Sequence, residues 1–87
     1  MKCEHLEAAP DDADPTTTEG CPECLKIGFY DWVHLRMCLT CGQIGCCDSS
    51  PYQHATGHFN DVGHPVMRSF EPGETWKWCY VDELIAT

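Results

Sequence analysis

The residues best suited to chemistry in this chain are its cysteines and histidines, of which there are eight and five among 87 residues. Two Cys-x-x-Cys pairs stand out, Cys21/Cys24 and Cys38/Cys41. A pair at this spacing presents two thiolates from one tight turn, where they chelate a single tetrahedral zinc ion. Each pair still needs two further ligands, so the sequence predicts at least two zinc sites.

The remaining ligands must come from residues after the second pair. Five candidates follow it: Cys46, Cys47, His54, His58 and His64. Adjacent side chains on an extended chain point in opposite directions, so only one of the two adjacent cysteines should bind metal. On a helix the first two histidines would share one face. They could bind one ion together, as in the H-E-x-x-H motif, or be divided between two ions. The residues alone leave both choices open.

Disulfides are the competing use for so many cysteines. An even cysteine count in a small chain is also typical of secreted disulfide scaffolds. The N-terminal residues Met1 to His5 contain no apolar signal-peptide core, and no stretch approaches the length of a membrane span. We therefore expect a cytoplasmic protein, in a reducing compartment where disulfides rarely persist. Metal binding would also compensate for the small hydrophobic core of so short a chain.

Charge and motif content exclude several functions. The chain has 14 acidic and 5 basic residues and a formal net charge of −9. Nucleic-acid binding requires a basic face, so we expect no nucleic-acid partner, and we expect no membrane partner. No nucleophile–base pair or phosphate-binding loop is present, and four-ligand zinc is structural rather than catalytic. The sequence therefore predicts a protein that is not an enzyme.

Local patterns predict a few short elements. Residues 8–20 are rich in Pro, Asp and Thr and predict a solvated loop. Alternating residues predict a strand over 32–37, and residues 42–45 suit a short strand or turn. Segments 65–70 and 75–81 predict two strands joined by a Pro-Gly turn.

One helix is predicted from Pro51 to Asn60. Ser50 suits an N-cap, with a first-turn proline after it and Gln53 as the capping-box partner. Gly63 is expected to end the helix. This helix would carry His54 and His58 on one face.

The ordered cysteines and histidines resemble one known family. The matching segments are C-x-H at 3–5, C-x-x-C at 21–24, C-L-T-C-G-Q-I-G-C at 38–46, H-A-T-G-H followed by G-H-P-V within 54–66, and W-C-Y at 78–80. They resemble the UBP-type zinc finger of deubiquitinating enzymes and of a cytoplasmic histone deacetylase, and the compact segments look like those of small stand-alone bacterial members. The resemblance implies one α+β domain over residues 1–87, a twisted antiparallel sheet crossed by one main helix.

The resemblance also implies a ligand assignment for two to three zinc ions. One ion would be bound by Cys21, Cys24, Cys46 and His54; a second by Cys38, Cys41, His58 and His64; and a third by Cys3, His5, Cys79 and Asp82. Asp82 stands where other members with a third zinc have a cysteine. Because a carboxylate oxygen is a harder ligand than a thiolate, this third site should be the weakest. Cys47 and His34 are left without a metal role.

Eukaryotic members of the family typically bind the free C-terminal Gly-Gly carboxylate of ubiquitin in an aromatic-lined pocket, with an arginine in the carboxylate anchor. In this sequence Asp48 occupies the position of that arginine, and Arg36 replaces a pocket tryptophan. Trp78 and Tyr80 match pocket aromatics of the family. Since an acid repels a carboxylate, ubiquitin is an unlikely partner, and a cationic ligand becomes the alternative. Trp76, Trp78 and Tyr80 could equally be only packing aromatics.

These inferences predict a non-catalytic zinc-binding domain that serves as a peptide or protein binding module, whose ubiquitin anchor is lost. The alternative is a thiol-redox or zinc-responsive regulatory protein that uses Cys47 or the third site.

Overall fold

Five short strands form one antiparallel sheet in the computed structural model, which describes residues 3–10 and 12–86. In chain order the strands are β1 (Leu35–Cys38), β2 (Ile44–Cys46), β3 (Val66–Ser69), β4 (Lys77–Cys79) and β5 (Leu84–Ala86). Their order across the sheet is β2-β1-β3-β4-β5. The sheet and its helices confirm the predicted α+β class.

Most strands follow the predictions, with shorter limits. β3 and β4 form the predicted antiparallel hairpin, and Gly73 adopts φ 81 at its turn, a conformation that glycine tolerates without steric cost. β2 is the short strand expected near residues 42–45. β1 begins only at Leu35, so the predicted start at residue 32 is wrong. β5, which pairs with β4, was not predicted.

The main helix is α3, His54–Val62, and its start differs from the predicted one. Gln53 lies in the left-handed region at φ 49 and makes no side-chain cap. Ser50 is not the N-cap, because its Oγ accepts a hydrogen bond from the backbone N–H of Val33 at 2.7 Å. Gly63 ends the helix at φ 75, as predicted. The polar signals before α3 therefore serve the preceding loop rather than the helix.

Two five-residue helices were not predicted, α1 (Glu4–Ala8) and α2 (Pro22–Lys26). Each follows directly after a cysteine, Cys3 and Cys21 respectively, which is the N-cap residue. Helices this short are not stable in isolation, so their neighbours must hold them. Within residues 3–10 and 12–86, no helix has the length and apolar character needed to span a membrane.

The core consists of two small clusters that include cysteines. The larger cluster is formed by Cys3, Met37, Leu39, Ile44, Val66 and Cys79. The smaller cluster is formed by Cys21, Cys24 and Cys46, packed against Phe29, Trp32 and Leu35. Cysteines that the sequence predicts as metal ligands thus occupy core positions that apolar side chains would fill in a larger domain.

Candidate zinc centres and the adjoining groove

The first ligand set lies where α2, β2 and α3 meet. Cys21 precedes α2, Cys24 lies within it, Cys46 ends β2 and His54 begins α3. His54 Nδ1 is 3.2 Å from the sulfurs of Cys21 and Cys24 and 3.5 Å from that of Cys46. The sulfurs of Cys24 and Cys46 are 3.8 Å apart. Tetrahedral zinc, with bonds of about 2.0 to 2.3 Å, places its ligands roughly 3.3 to 3.8 Å apart. The donor chemistry and the spacing both fit zinc.

A close contact between β2 and α3 positions two ligands of this set. A Cβ atom at Gly45 would lie 2.6 Å from the backbone nitrogen of Ala55 and 3.0 Å from the carbonyl carbon of His54. Only glycine permits this approach. It brings the backbone N–H of His54 to 3.1 Å from the sulfur of Cys46, where it donates a hydrogen bond that would stabilise a thiolate.

The second ligand set lies between the end of β1 and α3: Cys38 ends β1, Cys41 lies in the turn after it, His58 lies within α3 and His64 follows that helix. The sulfur of Cys38 is 3.4 Å from His64 Nδ1, and the sulfur of Cys41 is 3.4 Å from His58 Nε2. These four ligand atoms lie within 4.8 Å of one another. Gly42, at φ 79, closes the turn by donating its N–H to the Cys38 carbonyl at 2.8 Å. The two helical histidines are therefore divided between two sites.

The third ligand set joins the two ends of the chain. Cys3 and His5 come from the start of α1, and Cys79 and Asp82 from the end of β4 and the turn after it. Asp82 Oδ2 lies 2.9 Å from the Cys3 sulfur, 3.2 Å from His5 Nδ1 and 3.9 Å from the Cys79 sulfur. Hydrogen bonds from Cys3 and His5 hold the pKa of Asp82 below its usual value. The carboxylate is thus ready to bind a cation.

None of the eight cysteines forms a disulfide in the structure. Burial raises the pKa of the Cys3 thiol to about 11 and also raises the pKa of Cys24, Cys41 and Cys46. A buried thiolate needs a nearby cation, and zinc binding would therefore release protons from these groups.

Cys47 and His34 lie outside the three sets formed by the described residues. Of the adjacent cysteines Cys46 and Cys47, only Cys46 belongs to a ligand set. Cys47 is buried, and its sulfur is 3.7 Å from Ser50 Oγ. His34 precedes β1, and its Nδ1 lies 3.3 Å from Glu71 Oε1.

All four residues predicted for ligand binding line one open groove beside the sheet. Arg36 from β1, Asp48 from the loop after β2, and Trp78 and Tyr80 from the β4 region border a space of about 240 Å³. Trp76 and Ile85 also line it. Ile85 had no sequence signal, because it belongs to the unpredicted strand β5.

Comparisons with known proteins identify a matching zinc-finger family. The family model described as "Zn-finger in ubiquitin-hydrolases and other protein" matches residues 21–84. This chain belongs to that family. Ubiquitin carboxyl-terminal hydrolase 14 of Schizosaccharomyces pombe is 30% identical over an alignment 87 residues long, which covers 90% of this chain and 11% of that protein. The chain thus spans about one ninth of that relative.

A solved structure shows the same fold. The solution NMR structure of a Rhodopseudomonas palustris protein is 52% identical to this UBP-type zinc finger and superimposes with a TM-score of 0.85. The match covers 98% of this chain and 80% of the other chain. The similarity therefore extends over nearly the whole of this chain.

The groove of this UBP-type zinc finger contains both signs of charge. The Arg36 guanidinium lies 4.5 Å from the Trp76 ring centroid, over its face. The Asp48 carboxylate accepts a hydrogen bond from Thr56 Oγ1 on α3. Burial raises the pKa of Tyr80 to about 12, and its ring stacks on Phe59 at 4.9 Å. Tyr80 is thus a neutral, rigid wall of the groove.

Proposed function

We propose that this domain is a non-catalytic, zinc-stabilised module that binds a peptide segment of a cytoplasmic partner. The observation that supports this most directly is the groove, where Trp78, Tyr80, Arg36 and Asp48 meet on one side of the sheet. Aromatic and arginine side chains are the residues most enriched where binding energy is concentrated. Membership of a zinc-finger family adds weight to a binding role.

The ligand sets favour a structural rather than a catalytic metal. Each of the three sets offers four ligand atoms. Four protein ligands complete a tetrahedral zinc site, whereas catalytic zinc keeps one position for water or substrate. We propose that the domain binds three zinc ions and performs no hydrolysis. Counting the ions by native mass spectrometry tests the stoichiometry.

We propose further that the C-terminal tail of ubiquitin is not the ligand. The S. pombe relative is a ubiquitin hydrolase by name, but this chain covers 11% of it. Asp48 is exposed and lines the groove at the position where the resemblance places a carboxylate-binding arginine. Two like charges in one groove repel each other, so a tail that ends in Gly-Gly carboxylate is disfavoured.

The test is an NMR titration that follows the tryptophan indole N–H signals. A peptide ending in free Gly-Gly carboxylate and peptides that carry amines are each added to the zinc-loaded domain. We expect amine-bearing peptides to shift Trp78, while Trp32, which packs against the first ligand set, serves as an internal control. If no peptide shifts Trp78, the proposed function is wrong.

A gain-of-function variant sharpens the test of the ubiquitin proposal. Asp48→Arg places a cation at the predicted anchor position and should create binding of the Gly-Gly carboxylate peptide. Asp31→Arg, at an exposed position, makes the same change in net charge and should not. Strong binding of that peptide by the unmodified domain would contradict the loss of the anchor.

A further inference from the structure

Arg36 and Asp48 line the same groove and do not pair with each other. Among residues 3–10 and 12–86, no ion pair joins them. The guanidinium of Arg36 is fixed by its stacking on Trp76 and by a bond from Nη1 to the Leu35 carbonyl at 3.0 Å. Opposite charges that line one groove attract each other. Here separate neighbours hold the arginine in place.

The Asp48 side of the groove is held in the same way. Its carboxylate accepts a hydrogen bond from Thr56 Oγ1, and its backbone carbonyl accepts one from Gln53 Nε2 at 3.2 Å. Thr56 belongs to α3, and the first turn of that helix is anchored by His54 of the first ligand set. The carboxylate is therefore held by a residue of α3 rather than by Arg36.

Both charges keep capacity for further bonds. A guanidinium has five N–H donors, and the Leu35 carbonyl uses one of them. A carboxylate has two acceptor oxygens, and Thr56 occupies Oδ1. Tyr80 lines the groove together with both residues. Both charges thus border the same groove as this aromatic ring.

From this arrangement we infer that the groove selects a peptide segment in which a lysine or arginine side chain lies close to a carboxylate group. The inference rests on the proposed function, because it specifies the ligand of the same groove. The basic side chain would pair with Asp48 and lie against Trp78, as cations do on aromatic faces. The carboxylate would accept hydrogen bonds from the free donors of Arg36, whose planar fork matches it.

Four capped peptides separate the two charges of the ligand. They share the form acetyl-Gly-X-Gly-Z-Gly-amide, with Lys or Gln at X and Glu or Gln at Z. The Lys/Glu peptide should bind about threefold to tenfold tighter than either singly charged peptide, because each charge adds one partly exposed pair. Acetyl-Gly-Lys-Gly with a free C-terminus, compared with its amide, tells whether a terminal carboxylate serves as well as a side chain.

Two variants assign each charge to its partner. Asp48→Asn should remove the preference for Lys over Gln while the preference for Glu remains, and Arg36→Gln should do the reverse. Asp31→Asn and Lys26→Gln change the net charge equally at exposed positions and should leave both preferences unchanged. Chemical shifts of Trp78 and isothermal titration report the affinities, and circular dichroism verifies that each variant is folded.

The outcomes distinguish the inference from the proposed function. If peptides bind but all four have equal affinity, peptide binding stands and the paired-charge inference is overturned. The paired-charge inference is also overturned if Asp48→Asn keeps the preference for Lys or if Arg36→Gln keeps the preference for Glu. If no peptide binds, the proposed function itself fails. Loss of each preference in its own variant supports the inference.

Discussion

At the scale of single residues, Asp82 distinguishes the third ligand set from the other two. Sets one and two contain only cysteine and histidine, whereas the third includes a carboxylate that is exposed. Carboxylate oxygen is a weaker match to zinc than thiolate. We therefore expect zinc to exchange fastest at the third site.

Two substitutions of Asp82 test this expectation in opposite directions. Asp82→Ala should lower the zinc count by one, and Asp82→Cys should keep the count and slow zinc release to a chromogenic chelator by about tenfold or more. Glu83→Ala, next in sequence and exposed, is the matched control. Equal release rates for the cysteine variant and the unmodified protein would contradict the assignment of the ligand.

The titrating ligands also set a direction for pH dependence. Burial and the nearby His64 lower the pKa of His58 from its usual 6.5, and hydrogen bonds lower the pKa of Asp82 from 3.8. In both cases the unfolded chain binds protons more readily than the folded one. The free energy of unfolding should therefore fall as pH falls below about 6.5 and fall again below about 3.8.

Denaturant unfolding at fixed total zinc measures this dependence. Between about pH 7 and about pH 5 the midpoint should move to lower denaturant, since protons also compete with zinc for histidine and thiolate. His34→Gln alters a histidine outside the ligand sets and should leave the loss of stability at low pH in place. A constant midpoint across this range would show that His58 is not a ligand.

The spacing of the cysteines and histidines predicted the ligand sets better than the local capping signals predicted the start of α3. Cys-x-x-Cys pairs restrict their ligands to one turn, so their geometry follows from sequence alone. The Ser50-Pro51-Gln53 signal failed because Ser50 bonds to Val33 and Gln53 bonds to Asp48, contacts made across loops. Such contacts depend on the tertiary fold, which no local pattern encodes.

At the scale of elements, two short helices that carry metal-ligand residues, α1 and α2, were not predicted from the sequence. α1 and α2 have five residues each and show too little periodicity to be recognised. Each packs through cysteines that belong to ligand sets. These helices are therefore stabilised mainly by the sites that they help to build.

The contact between β2 and α3 allows a matched pair of substitutions. Gly45→Ala would force its Cβ against the backbone of Ala55, at 2.8 Å from the Cα, and should lower the free energy of unfolding by about 1 to 3 kcal/mol. Gly57→Ala, in open space on α3, should raise it by about 0.5 to 1 kcal/mol, because alanine favours the helix.

Thermal and denaturant unfolding of the two zinc-loaded variants give these differences. Gly45→Ala should also weaken zinc binding at the first set, since Cys46 and His54 lie on the two elements that it separates. If both alanine variants had the same stability, the close approach of β2 to α3 would not position the ligands as we describe.

At the scale of the whole molecule, the three ligand sets divide into two groups. The first and second sets share α3, so metal at either one orders the element that the other needs. The third set involves α1 and the region from β4 to β5 and shares no ligand-bearing helix with them. Loss of metal should therefore proceed in two stages.

A graded titration with a strong chelator tests this order. The first stage should remove one zinc ion and expose the amides of α1 to hydrogen exchange, while β1 and β3 stay protected. The second stage should release the remaining ions together and unfold the sheet, because a structural zinc site contributes on the order of 10 kcal/mol, comparable to the net stability of a small domain. Native mass spectrometry, run in parallel with exchange, counts the ions at each stage. Protection of β1 that survives complete removal of zinc would show that the apolar side chains alone maintain the sheet, and the metal would then only tighten a fold that already exists.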